Sequence, residues 1–157
     1  MVVFWEDFVY EVKLDIDFDK QDPCAVAVRL QKINSVLSRL AYYVGIYRTA
    51  NGLHIRAELA EPISKEVDLA LRGLLNDDWE RLGLDYWRVG SGLRQFDILF
   101  TWRRKEYDRE NPVGAEKPIS LDDAIALAMT KCQEKVNNIK RRRMRRGGGK
   151  RSRTSRP

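Results

Sequence analysis

The chain has 157 residues, 43% of them hydrophobic, and its 29 Lys or Arg against 23 Asp or Glu give a formal net charge of +6. That length supports one domain with an apolar core plus an appendage, without disulfides or a structural metal. No run approaches the roughly 20 apolar residues of a membrane span, and Met1-Val2-Val3-Phe4-Trp5-Glu6-Asp7 lacks the basic region of a signal peptide, so a soluble, cytoplasmic protein with no membrane partner is expected.

The charge is unevenly spread. From Lys140 to Pro157 there are ten bases and no acid, which leaves residues 1–139 with 19 bases against 23 acids. The body is mildly acidic, and the tail carries all of the excess positive charge. Cys24 and Cys132 lie far apart and match no metal-ligand spacing, so they read as reduced thiols of an intracellular protein.

From Phe8 to Phe18 the residues alternate: Phe8, Tyr10, Val12, Leu14, Ile16 and Phe18 point one way, while Val9, Glu11, Lys13, Asp15 and Asp17 point the other. This predicts a half-buried strand with one open polar face. Asp22-Pro23 then opens a helix whose apolar positions are Val26, Leu30, Ile33, Val36, Leu37 and Leu40. Tyr42–Thr49 and Leu53–Leu59, joined at Ala50-Asn51-Gly52, read as a hairpin with Leu53, Ile55, Ala57 and Leu59 toward the core. Ser64 is the expected N-cap of a second helix over 65–75, which Asn76-Asp77-Asp78 ends. A short extra strand is expected over Leu84–Val89, and a strong one over Gln95–Arg103.

The order strand, helix, strand, strand, helix, strand predicts an α+β fold, a ferredoxin-like or RRM-like antiparallel sheet with helices on one face and the other face open. The palm-like domain would span residues 1–104, followed by a polar linker over 105–119. Ser120 with Asp123 is a capping-box-like start for a C-terminal helix over 120–146, with the apolar stripe Ala124, Leu127, Ala128, Cys132, Val136 and Ile139. Gly147-Gly148-Gly149 should stop that helix and leave 147–157 as a disordered basic tail.

The tail carries the strongest functional signal. Arg141, Arg142, Arg143, Arg145, Arg146, Lys150, Arg151, Arg153 and Arg156 are placed to neutralise phosphates, and no aromatic or aliphatic face accompanies them into a membrane. DNA or RNA is therefore the expected partner. Gly147-Gly148-Gly149-Lys150-Arg151-Ser152 is not a P-loop, because Met144 stands where that motif needs a glycine.

A second candidate lies on the open face. In a ferredoxin-like sheet the first strand sits between the third and the last, which places Asp15 and Asp17, His54 and Asp97 on three adjacent strands facing away from the helices. Residues i and i+2 of a strand share a face about 7 Å apart, so two such carboxylates reach a common pair of metal ions. Acids are also ordinary on a solvent-facing strand. The single histidine excludes a two-histidine relaxase site, and there is no HExxH motif. Tyr43 and Tyr47 are positioned either to stack bases or to pack. Asp77, Asp78, Glu80 and Asp85 read as a helix-ending loop or as carboxylates of a different nuclease site.

In Leu14-Asp15-Ile16-Asp17-Phe18, Thr49-Ala50-Asn51-Gly52-Leu53-His54-Ile55 and Gln95-Phe96-Asp97-Ile98, the sequence resembles the catalytic core of archaeo-eukaryotic primases and primase-polymerases over about residues 8–104. The resemblance implies Mg²⁺ or Mn²⁺ held by Asp15, Asp17 and Asp97, a contact from His54 to the phosphates of an incoming nucleotide, and nucleotidyl transfer as the reaction. An archaeal viral or plasmid origin goes with it. The zinc-binding cysteines expected of that family have no counterpart. A metal-dependent nuclease and a non-catalytic RRM-like binding protein are the alternatives.

Overall fold

The computed structural model describes residues 8–92 and 116–148. Along the chain these form β1 (Phe8–Asp17), α1 (Pro23–Leu40), β2 (Ala41–Arg48), β3 (Gly52–Ser64), α2 (Lys65–Leu74), α3 (Trp79–Gly90), β4 (Lys117–Ile119) and α4 (Leu121–Gly148). The strands make an antiparallel sheet in the order β1-β3-β2-β4, so the chain is an α+β protein with a C-terminal helix, as its pattern predicts.

Local chemistry explains most boundaries. The Asp22 side chain accepts the Cys24 N–H and Pro23 fills the first helical position, where its missing N–H costs nothing. Ser64 caps α2 by accepting from Val67 N–H, and Ser120 Oγ accepts from Asp123 N–H at the start of α4. Val26, Leu30, Ile33 and Leu37 of α1 pack on Val12, Leu14 and Ile16 of β1 and on Leu53, Ile55, Ala57 and Leu59 of β3, with Ala124 and Ala128 of α4 closing the core. This apolar burial is what holds the helices on one face of the sheet. Gly52 is required where the hairpin meets the end of β1, since a Cβ there would fall 1.8 Å from the Ile16 carbonyl oxygen.

Five expectations change. Alternation in β1 breaks beside Tyr10, where register shifts between Val9 and Glu11, so Val9 is buried and Tyr10 exposed. The residues expected as a strand at Leu84–Val89 lie inside α3, which Asp78 caps. The end of the expected linker is β4, which pairs with β2. Gly147 and Gly148 complete α4 rather than stop it. Finally, Cys24 and Cys132 are joined in a disulfide, because the first turn of α1 and the middle of α4 lie side by side with Cα atoms 4.6 Å apart. The cysteines therefore no longer argue for a reducing compartment. Titration of the denatured, unreduced protein with a thiol reagent should find neither cysteine reactive, and both after reduction.

The expected strand Gln95–Arg103, most of the linker and residues 149–157 lie outside the described residues. Among the described residues, no helix is long and apolar enough to cross a membrane.

Candidate functional site

The register of three strands assembles a cluster on the face opposite the helices. Asp15 of β1 stands across from His54 of β3, which stands across from Tyr47 of β2, so the three form one row. The next row is Lys13, Arg56 and Gly45, and the one after it Glu11, Glu58 and Tyr43. His54 Nε2 lies 3.4 Å from Asp15 Oδ1, and Nδ1 lies 2.5 Å from Oε1 of Glu116, the residue that precedes β4. One guanidinium nitrogen of Arg56 donates to both Glu116 oxygens at 2.9 Å. The same guanidinium lies over the Tyr47 ring, 5.4 Å from its centroid, and the Tyr47 and Tyr43 hydroxyls are 3.3 Å apart.

His54 thus sits between two carboxylates, one on β1 and one just before β4, each of the three side chains less than a fifth exposed. Burial pulls the imidazole pKa down, but hydrogen bonds to Asp15 and Glu116 outweigh it and leave the pKa above the ordinary 6.5. Burial pushes the Glu116 carboxyl up, and the hydrogen bond from His54 with the nearby Arg56 charge brings it below its usual value. A raised imidazole pKa means that protonated His54 contributes stability fully below pH 6.5, and that this contribution is lost as pH rises through the folded-state value. Because the chain has one histidine, its ring C2 proton gives one resonance. The titration midpoint should lie above 6.5 and fall in Glu116→Gln; a wild-type midpoint at or below 6.5 would contradict this arrangement.

Behind the cluster, β1 is braced by charge. Asp15 N–H donates to Asp77 Oδ1 at 2.7 Å, Asp78 N–H donates to the Asp15 carbonyl at 3.1 Å, and Arg81 donates to the Lys13 carbonyl at 3.1 Å. The outer edge of β1 is therefore occupied at Lys13 and Asp15 by the start of α3 and the turn before it. Fully buried Arg72 of α2 donates to Asp77 at 2.8 Å, Asp85 at 3.0 Å and Asp68 at 3.3 Å, while Arg81 also holds Asp77 and Arg88 holds Asp85. Lys20 pairs with Asp78 and Glu80. The acid-rich segment is thus a structural ion-pair network, and its spacing of Asp77, Arg81, Asp85 and Arg88 is the helical signal for α3 that its tyrosine, tryptophan and valine conceal.

Of the residues expected to act together, Asp15 and His54 meet and Asp17 follows two residues on along β1, with its Oδ1 accepting the Asp19 N–H at 2.8 Å. Asp97 lies outside the described residues. The described donors fit a divalent ion in kind, being hard carboxylate oxygens, but not in number: among the described residues no group of three His, Cys, Asp or Glu is placed to hold a metal. Glu116 was not foreseen, since nothing in its local sequence distinguishes it from the other acids of the linker. Arg141, Arg142, Arg143, Arg145 and Arg146 are on α4, where every residue from Asn137 to Gly148 is exposed. Lys150, Arg151 and Arg153 lie outside the described residues.

No protein-family model matches the chain, and no curated protein or solved structure matches it either.

Proposed function

We propose that this protein binds nucleic acid, with the C-terminal half of α4 as the arm that contacts phosphates. The observation that carries this reading is the basic run on that helix. Lys140, Arg141, Arg142, Arg143, Arg145 and Arg146 are all exposed and have no acid among them, beyond the point where Cys132 ties the helix to α1. A helical arm of this kind meets phosphates from several sides and reads no base edge. Two labelled oligonucleotides of equal length and unrelated sequence should therefore bind within a few-fold of one another. Strong preference for one sequence, or failure to bind either at low salt, would count against the arm.

A catalytic reading is favoured by a separate observation: Asp15 and His54 stand opposite each other on neighbouring strands with Asp17 on the same face, the juxtaposition that the primase-polymerase resemblance implies. In this reading Asp15 and Asp17 hold Mg²⁺ or Mn²⁺ together with Asp97, and His54 meets the nucleotide phosphates. Supplied with Mn²⁺, nucleoside triphosphates and a primed template, the wild type should extend the strand, and Asp15→Asn and His54→Ala should each lose that activity while still binding nucleic acid. Strand degradation without triphosphates, kept in His54→Ala, would make it a nuclease. Inertness in both assays would leave the binding role alone.

A further inference from the structure

The open face carries a second group of side chains that the Asp15-His54-Glu116 cluster does not use. At the end of the sheet marked by the Glu11-Glu58-Tyr43 row, the regular pairing breaks on both sides of β3, between Val9 and Glu11 of β1 and between Ala41 and Tyr43 of β2. Each break falls at a tyrosine. Tyr10 is 47% exposed and Tyr42 74% exposed, and Tyr43, next to the second break, is 48% exposed. Register irregularities re-aim side chains that regular pleating would direct elsewhere. Here the break beside β2 leaves the Tyr42 and Tyr43 rings turned to solvent beside the central strand, and the neighbouring Glu58 carboxylate raises the Tyr42 pKa.

The aromatic surface continues along β2. Gly45 is buried although it belongs to the open face, because the tyrosines on either side of it lean over its backbone. A Cβ at Gly45 would sit 2.8 Å from the Tyr47 ring and 2.9 Å from the Tyr43 hydroxyl. Glycine at this position is what lets the two side chains lie down and bring their hydroxyls together.

Exposed rings laid along an antiparallel sheet suit one class of occupant better than others. Unpaired bases stack on tyrosine faces without regard to sequence, whereas the bases of a duplex are already stacked on each other and inaccessible. The local charge points the same way: Glu11 and Glu58, in one row with Tyr43, disfavour phosphates but accept hydrogen bonds from base amino groups. We infer that Tyr42 and Tyr43 form a base-stacking platform for single-stranded DNA or RNA, a surface separate from the phosphate-binding α4 arm. This rests on the nucleic-acid reading above and adds strand selectivity to it.

The two surfaces are separable by salt. Phosphate contacts weaken steeply with ionic strength, while stacking does not release counterions. The test uses the full chain, a labelled oligodeoxycytidylate strand and a duplex of equal length, each titrated at several salt concentrations. Tyr42→Ala with Tyr43→Ala should weaken single-strand binding about 5- to 100-fold, leave the salt slope unchanged and leave duplex binding unaffected. Tyr42→Phe with Tyr43→Phe keeps the rings and should keep the affinity, which guards against a folding effect of the alanines. Equal loss for strand and duplex, no loss at all, or an equal loss in the phenylalanine variant would overturn the platform while leaving the arm in place. A wild type that binds neither form would overturn the nucleic-acid reading itself.

Discussion

Replacing Lys140, Arg141, Arg142, Arg143, Arg145 and Arg146 by glutamine should weaken binding to any nucleic acid and flatten its salt dependence. The six bases point to all sides of an exposed helix, so roughly half can face one backbone at a time, which corresponds to a loss of about 2 to 3 in the slope of log affinity against log salt. At low salt the variant should bind about 10- to 100-fold more weakly than the wild type. Glutamine retains good helix propensity and none of the six side chains is buried, so the fold should be unaffected. Fluorescence anisotropy at several salt concentrations measures both quantities. An unchanged slope would move the binding surface from α4 to the body.

The largest stability effect should come from the interior. Arg72→Ala removes a guanidinium that donates to Asp68, Asp77 and Asp85, all of them buried. Breaking such a network by deleting one partner leaves uncompensated buried charge and costs about 3–5 kcal/mol. For a chain of this size that lowers Tm by on the order of 10 °C. The effect should also reach the site, because Asp77 receives the Asp15 N–H as well as Arg72 and Arg81. The His54 resonance should therefore shift in Arg72→Ala. A Tm within a degree or two of the wild type would mean that Arg81 and Arg88 suffice to balance the carboxylates.

These two predictions separate what could be read in advance from what could not. The hairpin, α1, α2 and α4 follow from local rules: period-two or helical apolar spacing, Asp22-Pro23, Ser64 and Ser120 at the caps. That Asp15 and His54 share the open face of neighbouring strands follows from alternation and from the ferredoxin-like strand order, whereas their direct opposition depends on a β1–β3 register that no local rule sets. Contacts between distant segments were not legible. Leu84–Val89 has the composition of a strand, and it is helical because Asp78 caps it and because Asp77, Arg81 and Asp85 lock onto β1 and α2. Nothing about Cys24 or Cys132 reveals that α4 folds back along α1. Glu116 reaches His54 only because three residues after it pair with β2.

The central claim is that a protein with an acidic body and a basic helical arm holds nucleic acid chiefly through phosphates. The most direct test is the affinity of the unmodified full chain for one labelled single strand, measured between 50 and 200 mM salt. With about 2 to 3 phosphates neutralised by the arm, affinity for a single strand should fall roughly 7- to 20-fold over that range. Binding that stays constant across it, or no binding at the lower concentration, would contradict the account.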